Sequence, residues 1–402
     1  MKHSHPEVLL LTPGPTPIHS CALAALSWPM RGHMDPDVIH YNSRIMADLK
    51  RLYQAPPDSF TFLLSGTGSL AMEAGLANLL ERGDSLLVAS NGVFGERTIE
   101  MGRRLGASVT PVRFPAGSEV DVARVRAAAQ RVRPKLIAMV HGETSTGVLN
   151  PVPAVGEVAA EVGSLYSVDA VTTVGMVEFD MARWGVDYAY TGSQKCLSAP
   201  PGVAPVALSA RAMDVVRQRK WPVASWYSDV LGAADYWALG GGESRYHHTV
   251  PVQLHWATGE AIRAALAEGI AARSQRVHRL AAALTRALAA VGFKPYVPEA
   301  YRLPTVLATE LPPGLDDAAV RAALRNDYRI SVTGGLGSTA GRIWRLGLMG
   351  EGAHACHYRE LMVALSTLLA APALADQFDE ALAALPPVNE LSREMPVLGA
   401  HS

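Results

Sequence analysis

The sequence predicts an α/β fold: a mostly parallel sheet with helices on both faces, followed by a smaller α+β domain. Three observations carry this. Short, continuous apolar runs recur from about residue 60 to 209 with helical patterns between several of them, the pattern of strands buried on both faces. A long helical stretch at 252–292 leads the chain away from that alternation. Beyond it, apolar runs and helical segments mix without a repeating order. A chain of 402 residues is also long for one core. The expected organisation is an extended arm over 1–20, a large domain over 21–265, a small domain over 266–380 and a tail over 381–402.

Each element has a local reason. The arm "LLTPGPTPIHS" is proline-rich, and proline fixes φ and removes backbone donors, so an extended course follows. Strands are expected at "FTFLLS", "SLLVAS", "LIAMVH", "SLYSVDA", "YAYTGS" and "VAPVALS". Helices are expected at "SLAMEAGLANLLERG", "FGERTIEMGRRLG", "DVARVRAAAQRVRP" and "PVPAVGEVAAEVG". The 252–292 stretch reads as two helices or one bent helix. The second domain draws on "PTVLATEL", "DDAAVRAALRND", "YRISVTGG", "GRIWRLGL" and a last helix around "YRELMVALSTLLAAP". The end, "LPPVNELSREMPVLGAHS", reads as weakly ordered, and no internal repeat is found.

Composition narrows the function. With 49% hydrophobic and 18% charged residues the chain is of the globular class. A net charge of −1 offers no global field for nucleic acid or an anionic membrane, so any anion must be held by a local site. Cys21, Cys196 and Cys356 are odd in number and far apart, which suits neither a disulfide framework nor a metal centre. The start lacks a signal-peptide pattern, and no run is long and apolar enough to span a bilayer. A cytoplasmic protein is expected.

Four features stand near the expected carboxyl ends of strands, where open α/β sheets bind ligands. In "SGTGSLAMEAG" (65–75) a strand, a Gly-rich turn and a helix start follow in order, with Ser65, Thr67 and Ser69 as candidate caps. Free N–H groups there suit a phosphate. A structural turn is the plain alternative, and "GTGSLA" also fits a dinucleotide fingerprint. That fingerprint expects an acidic residue closing the next strand, and "SLLVASNG" has none. Asp169 ends the apolar run "SVDAV", where a charge needs a partner or water. It is either a cap or surface residue, or a carboxylate for a pyridinium nitrogen. Lys195 in "TGSQKCLSAPPG" follows another strand; it is a solvated loop lysine or a desolvated amine with a lowered pKa, poised as a nucleophile. Arg345 interrupts the alternating strand of "GRIWRLGLMG", as a structural pair or as a bidentate clamp for a carboxylate. In this chain order the four form a known set: phosphate loop, pyridine-nitrogen acid, Schiff-base lysine and carboxylate arginine.

Taken with "TPGPT", "NGVFGER", "HGETSTGV", "VDAV", "YHHT", "LPTV", "GGLG" and "WRLGLMG", these residues resemble the class V aminotransferases, near the alanine–glyoxylate and serine–pyruvate branch, from about residue 9 to 375. The resemblance implies fold type I, with a mostly parallel seven-stranded sheet, and pyridoxal 5′-phosphate as cofactor. It implies that Gly68, Ser69 and Gln194 hold the cofactor phosphate, that Phe94 stacks on the ring and that Val171 packs on the opposite face. Thr144 would reach the ring hydroxyl, Asp169 the ring nitrogen, and Lys195 would carry the cofactor and shuttle the proton. Arg345 would take the substrate α-carboxylate. Tyr246 and Thr249 would come from the neighbouring subunit of a homodimer.

The reaction implied is a ping-pong transfer from a small amino acid, alanine or serine, to glyoxylate or pyruvate. The (S)-ureidoglycine–glyoxylate aminotransferases resemble the chain too, although that branch has asparagine where Tyr246 stands and glutamine where His33 stands. A β-lyase or desulfurase reaction is a further alternative. His247 and His248 adjoin but lack a metal-ligand set, and no metal is expected.

Overall fold

The computed structural model describes residues 7–239 and 242–386. Most of the tail, from residue 387 on, and the first six residues of the arm lie outside the described residues. After the amphipathic helix α1 (Pro36–Tyr53) the chain builds a seven-stranded sheet from β1 (Phe60–Ser65), β2 (Ser85–Ser90), β3 (Ser108–Arg113), β4 (Leu136–Val140), β5 (Leu165–Asp169), β6 (Tyr188–Tyr190) and β7 (Val203–Leu208). The strand order is β1-β7-β6-β5-β4-β2-β3. Only β7 runs against the rest, pairing antiparallel with β1 and β6; the four remaining pairs are parallel. The crossovers are helices α2 (Gly68–Leu79), α3 (Val93–Arg104), α4 (Val122–Val132) and α5 (Val152–Val162). The central strands β4, β5, β6 and β7 and the edge strand β1 are buried along their whole length, which is why they read as largely apolar runs.

The 252–292 stretch is two helices, α6 (Val252–Glu268) and α7 (Ile270–Ala289), broken at Gly269 with φ +88°. A four-stranded antiparallel sheet follows: β8 (Lys294–Pro295), β9 (Val306–Glu310), β10 (Thr333–Gly334) and β11 (Ile343–Gly347), in the order β8-β9-β11-β10. Helices α8 (Asp317–Asp327), α9 (Ala355–Leu368) and α10 (Leu374–Ala383) accompany it. Two apolar clusters result. One runs from Ala22 to Ala265; the other draws on Val277 to Phe378 together with Leu11, Met176 and Cys196.

The N-terminal arm runs between the two sheets. Leu9 and Leu10 pair in parallel with Ile330 and Ser331, and Gly347 N–H donates to the Leu11 carbonyl at 2.9 Å. Further on, Thr16 N–H donates to the Gln194 carbonyl at 3.0 Å, and His19 N–H to that of Ser198 at 2.8 Å. The arm therefore ties the second sheet to the turn after β6.

Candidate active site

Because β1, β2, β4, β5 and β6 run the same way, their carboxyl ends meet at one edge of the sheet. That edge receives Gly68 and Ser69 after β1, Phe94 after β2, Thr144 after β4, Asp169 and Val171 from β5, and Gln194 and Lys195 after β6. Residues spread over 128 positions of sequence are thus brought together by topology.

Lys195 sits in a turn locked from several sides. Ser193 Oγ donates to the Pro200 carbonyl at 2.5 Å, and Thr16 Oγ1 donates to the Lys195 carbonyl at 3.0 Å. Lys195 Nζ donates to the Pro13 carbonyl of the arm, and it has no carboxylate partner among the described residues. A side chain at Gly14, whose φ is +99°, would start 2.6 Å from Lys195 Cδ, so glycine lets the arm lie on the amine. Burial pulls the Lys195 pKa down to about 8, and the nearby Arg345 cation adds to this while Asp169 opposes it.

Asp169 is buried at the end of β5. Its Oδ1 accepts from Val171 N–H at 3.0 Å. Burial pushes its pKa up to about 6, against the Val171 and Tyr190 hydrogen bonds and the Lys195 and Arg97 charges. Val171 in turn meets the start of α2: a Cβ on Gly68 would lie 3.1 Å from Val171 Cγ2. Thr67 holds the N-cap position of α2 but makes no side-chain capping bond, so the first N–H groups of that helix face the edge uncapped. Gln194 Oε1 is buried without a partner.

Arg345 reaches the site from the middle of β11. Its Nε donates to the Gly334 carbonyl at 3.0 Å and its Nη1 to the Thr144 carbonyl at 3.2 Å. It is buried, 4% exposed, and forms no salt bridge among the described residues. A buried guanidinium held only by carbonyls lacks the anion that would balance it. Tyr246 and Thr249 do not join this cluster: both are exposed, and Tyr246 lies against His33 with ring centroids 5.3 Å apart.

A half-buried amine, a buried carboxylate and an arginine without a salt bridge among the described residues, facing an uncapped helix start, is a set suited to a phosphorylated aldehyde and an amino acid. The family described as Aminotransferase class-V matches residues 30–349. The chain belongs to the class V aminotransferases. This aminotransferase is similar to the alanine–glyoxylate aminotransferase of Callithrix jacchus, 37% identical over 86% of this chain and 84% of the relative. Among solved structures it is similar to the alanine–glyoxylate aminotransferase of Nostoc sp., with TM-score 0.88 and 39% identity over 92% of this chain and 97% of the other. It is also similar to the ureidoglycine–glyoxylate aminotransferase of Bacillus subtilis, with TM-score 0.91 and 31% identity over 95% and 99%. The fold is therefore that of the fold-type-I aminotransferases.

Three residues at this edge of the aminotransferase lie inside the motifs "HGETSTGV", "NGVFGER" and "YHHT", yet the sequence reading assigns them no place at the site. Glu143 is fully buried. Its Oε2 accepts from Phe94 N–H at 3.2 Å and Gly95 N–H at 3.4 Å, and its Oε1 from Ser145 N–H at 3.1 Å and Ser145 Oγ at 2.5 Å. It caps α3 from the far side of the edge; burial pushes its pKa up, while the Ser145 hydrogen bonds oppose this. A glutamate inside the otherwise small, neutral "HGETSTG" is the signal that could have found it. Arg97 donates to Ser69 Oγ at 3.0 Å. His248 Nε2 lies 2.8 Å from Ser65 Oγ, and its Nδ1 2.8 Å from His247 Nδ1, which docks the 242–249 segment beside the α2 loop. None of these three carries a spacing signature.

Proposed function

We propose that this aminotransferase uses pyridoxal 5′-phosphate to move an amino group from alanine or serine to glyoxylate or pyruvate in two half-reactions. The observation that carries this reading is the pairing, at one sheet edge, of a half-buried Lys195 that has no carboxylate partner with a buried Arg345 that forms no salt bridge, both among the described residues. The residues fit the cofactor. The uncapped start of α2 suits its phosphate, and turning the Gln194 amide over would present N–H groups there. Phe94 and Val171 would face the ring, Thr144 its hydroxyl, and Asp169 its nitrogen.

When bound, the cofactor supplies the electron sink that stabilises a carbanion at the substrate Cα. The chain supplies the rest. Arg345 clamps the α-carboxylate and so fixes which bond at Cα faces the lysine. Lys195 Nζ, neutral at a pH near its lowered pKa, takes the Cα proton of the donor and returns one to Cα of the acceptor product in the reverse half. Asp169 keeps a proton on the ring nitrogen, and that cation would in turn favour the ionised carboxylate. Alanine, serine and glyoxylate are small and carry one carboxylate, which suits one clamp. The structural likeness to the ureidoglycine–glyoxylate aminotransferase of Bacillus subtilis keeps ureidoglycine as the alternative donor.

The site is proposed to be completed in a homodimer, with Tyr246 and Thr249 reaching the phosphate of the neighbouring subunit. Large apolar side chains left in the open support this: Leu23, Met30, Trp221, Trp226 and Tyr246 are each more than half exposed. The division at about residues 20, 265 and 380 is proposed on the two apolar clusters. A cytoplasmic location is proposed from the free thiols of Cys21, Cys196 and Cys356. No helix among the described residues is long and apolar enough to cross a membrane.

Borohydride reduction of the cofactor-loaded protein tests the central assignment. The adduct is expected on the peptide carrying Lys195, and L-alanine or L-serine should discharge the visible absorbance with glyoxylate restoring it. An unmodified Lys195 peptide in fully loaded protein overturns the reading.

A further inference from the structure

A phosphate monoester carries about −1.5 to −2 charges at pH 7, yet every donor assigned to it above is neutral: Gly68, Ser69, Gln194, Tyr246 and Thr249. Helix N–H groups and the macrodipole offset only part of such a charge. One side-chain cation touches this loop among the described residues. Arg97 Nη1 donates to Ser69 Oγ at 3.0 Å, in the first turn of α2. Its Cζ lies 4.8 Å over the centroid of the Phe94 ring, one turn earlier on α3. Its charge also reaches the buried Asp169 and favours the ionised carboxylate there.

Arg97 is placed for a ligand and not for an internal ion pair. The adjacent carboxylate, Glu96, is taken by Arg113 at 2.9 and 3.0 Å and by Ser90 Oγ at 2.9 Å. No carboxylate lies in salt-bridge range of Arg97 among the described residues. Stacking on Phe94 orients the guanidinium, and α3 itself is pinned at its start by Glu143. Only one of its five donors is used by Ser69.

We propose that Arg97 is the counter-ion of the cofactor phosphate, a binding residue that joins the phosphate loop to the Phe94 wall. This rests on the pyridoxal phosphate reading given above. It assigns to one side chain the phosphate end of the cofactor and leaves the aldehyde end to Lys195.

The test compares two ligands that differ only in the phosphate. Full-length protein freed of cofactor is titrated with pyridoxal 5′-phosphate and with pyridoxal, reading the change in absorbance, for wild type, Arg97→Gln and Arg97→Lys. Arg97→Gln is expected to raise the Kd for pyridoxal phosphate about tenfold or more and that for pyridoxal within about twofold. The loss should shrink as salt is raised, because screening weakens the wild-type contact. Arg97→Lys keeps the charge and should recover part of the preference; if Arg97→Gln does not fold, a loss of about threefold or more in Arg97→Lys, confined to the phosphorylated ligand, carries the same conclusion. Equal losses for both ligands would assign Arg97 to the ring wall and overturn the proposal, as would an unchanged Kd for pyridoxal phosphate. A wild-type protein that binds neither ligand would instead sink the cofactor assignment.

Discussion

Burying a carboxylate at the end of β5 costs the unliganded protein stability at neutral pH. With the Asp169 pKa raised to about 6 from 3.8, the folded state holds a proton between about pH 4 and 6 that the unfolded chain has released. Stability from this group therefore falls as pH rises through that window, and the penalty is complete above it. Asp169→Asn should raise the unfolding free energy of cofactor-free protein by about 1–3 kcal/mol at pH 7 and leave it unchanged at pH 4, while abolishing transamination. Urea titrations at the two pH values check this. Lys195 has the opposite sign of charge and a pKa lowered to about 8. Its neutral form attacks, so the rate of cofactor incorporation should climb with pH and reach half its plateau near pH 8, read by stopped-flow absorbance. Asp169 and Arg345 are legible in sequence because one ends an apolar strand and the other interrupts one, and Lys195 because it follows a strand as a lone cation before a proline-rich break. Glu143 and Arg97 are not, since the hydrogen-bond partners that place them at the site, the N–H groups of Phe94 and Gly95 for Glu143 and Ser69 Oγ for Arg97, lie 49, 48 and 28 positions away.

At the scale of single elements, the start of α3 depends on a carboxylate from another segment. Both Glu143 oxygens accept only from donors, so an amide would turn its own N–H2 toward an N–H or a hydroxyl. Glu143→Gln should destabilise the fold by about 2–4 kcal/mol, visible as a lower urea midpoint with an unchanged slope. At the α6–α7 break, Gly269 has φ +88° and open space around it, so Gly269→Ala should cost about 1–3 kcal/mol through backbone strain alone; thermal unfolding of the variant measures it. The alternation of strands and helices is readable from residue 60 because the central strands are mostly apolar. The edge strand β3 is missed, since it is half exposed and carries Pro111 and Arg113. Helix α1 is missed as well: its buried face at Val38, Ile45, Leu49 and Leu52 is interrupted by Asn42, which bonds Tyr236 at 3.3 Å.

For the whole molecule, the proposed exchange of Tyr246 and Thr249 between subunits makes a complementation experiment decisive. Lys195→Ala subunits and Tyr246→Phe/Thr249→Ala subunits should each be impaired as homodimers. Mixed, unfolded and refolded together, they should regain roughly a quarter of wild-type sites, because half the dimers pair unlike chains and each has one intact site. Sites completed within one chain would regain nothing. The antiparallel placement of β7 and the path of the arm were not readable, since both are set by partners remote in sequence, β1 for β7 and Ile330, Ser331 and Gly347 for the arm. That arm has a consequence for biosynthesis. Leu9 and Leu10 lack their sheet neighbours until Ile330 and Ser331 have been made, and Leu11 waits for Gly347. The ribosome must therefore deliver residues up to about 347 before the stretch at 9–11 can settle, whereas Thr16 and His19 can join the turn around Lys195 as soon as that turn is made. A product cut off before residue 330 would keep the arm's hold on that turn and lose the anchor that joins it to the second sheet.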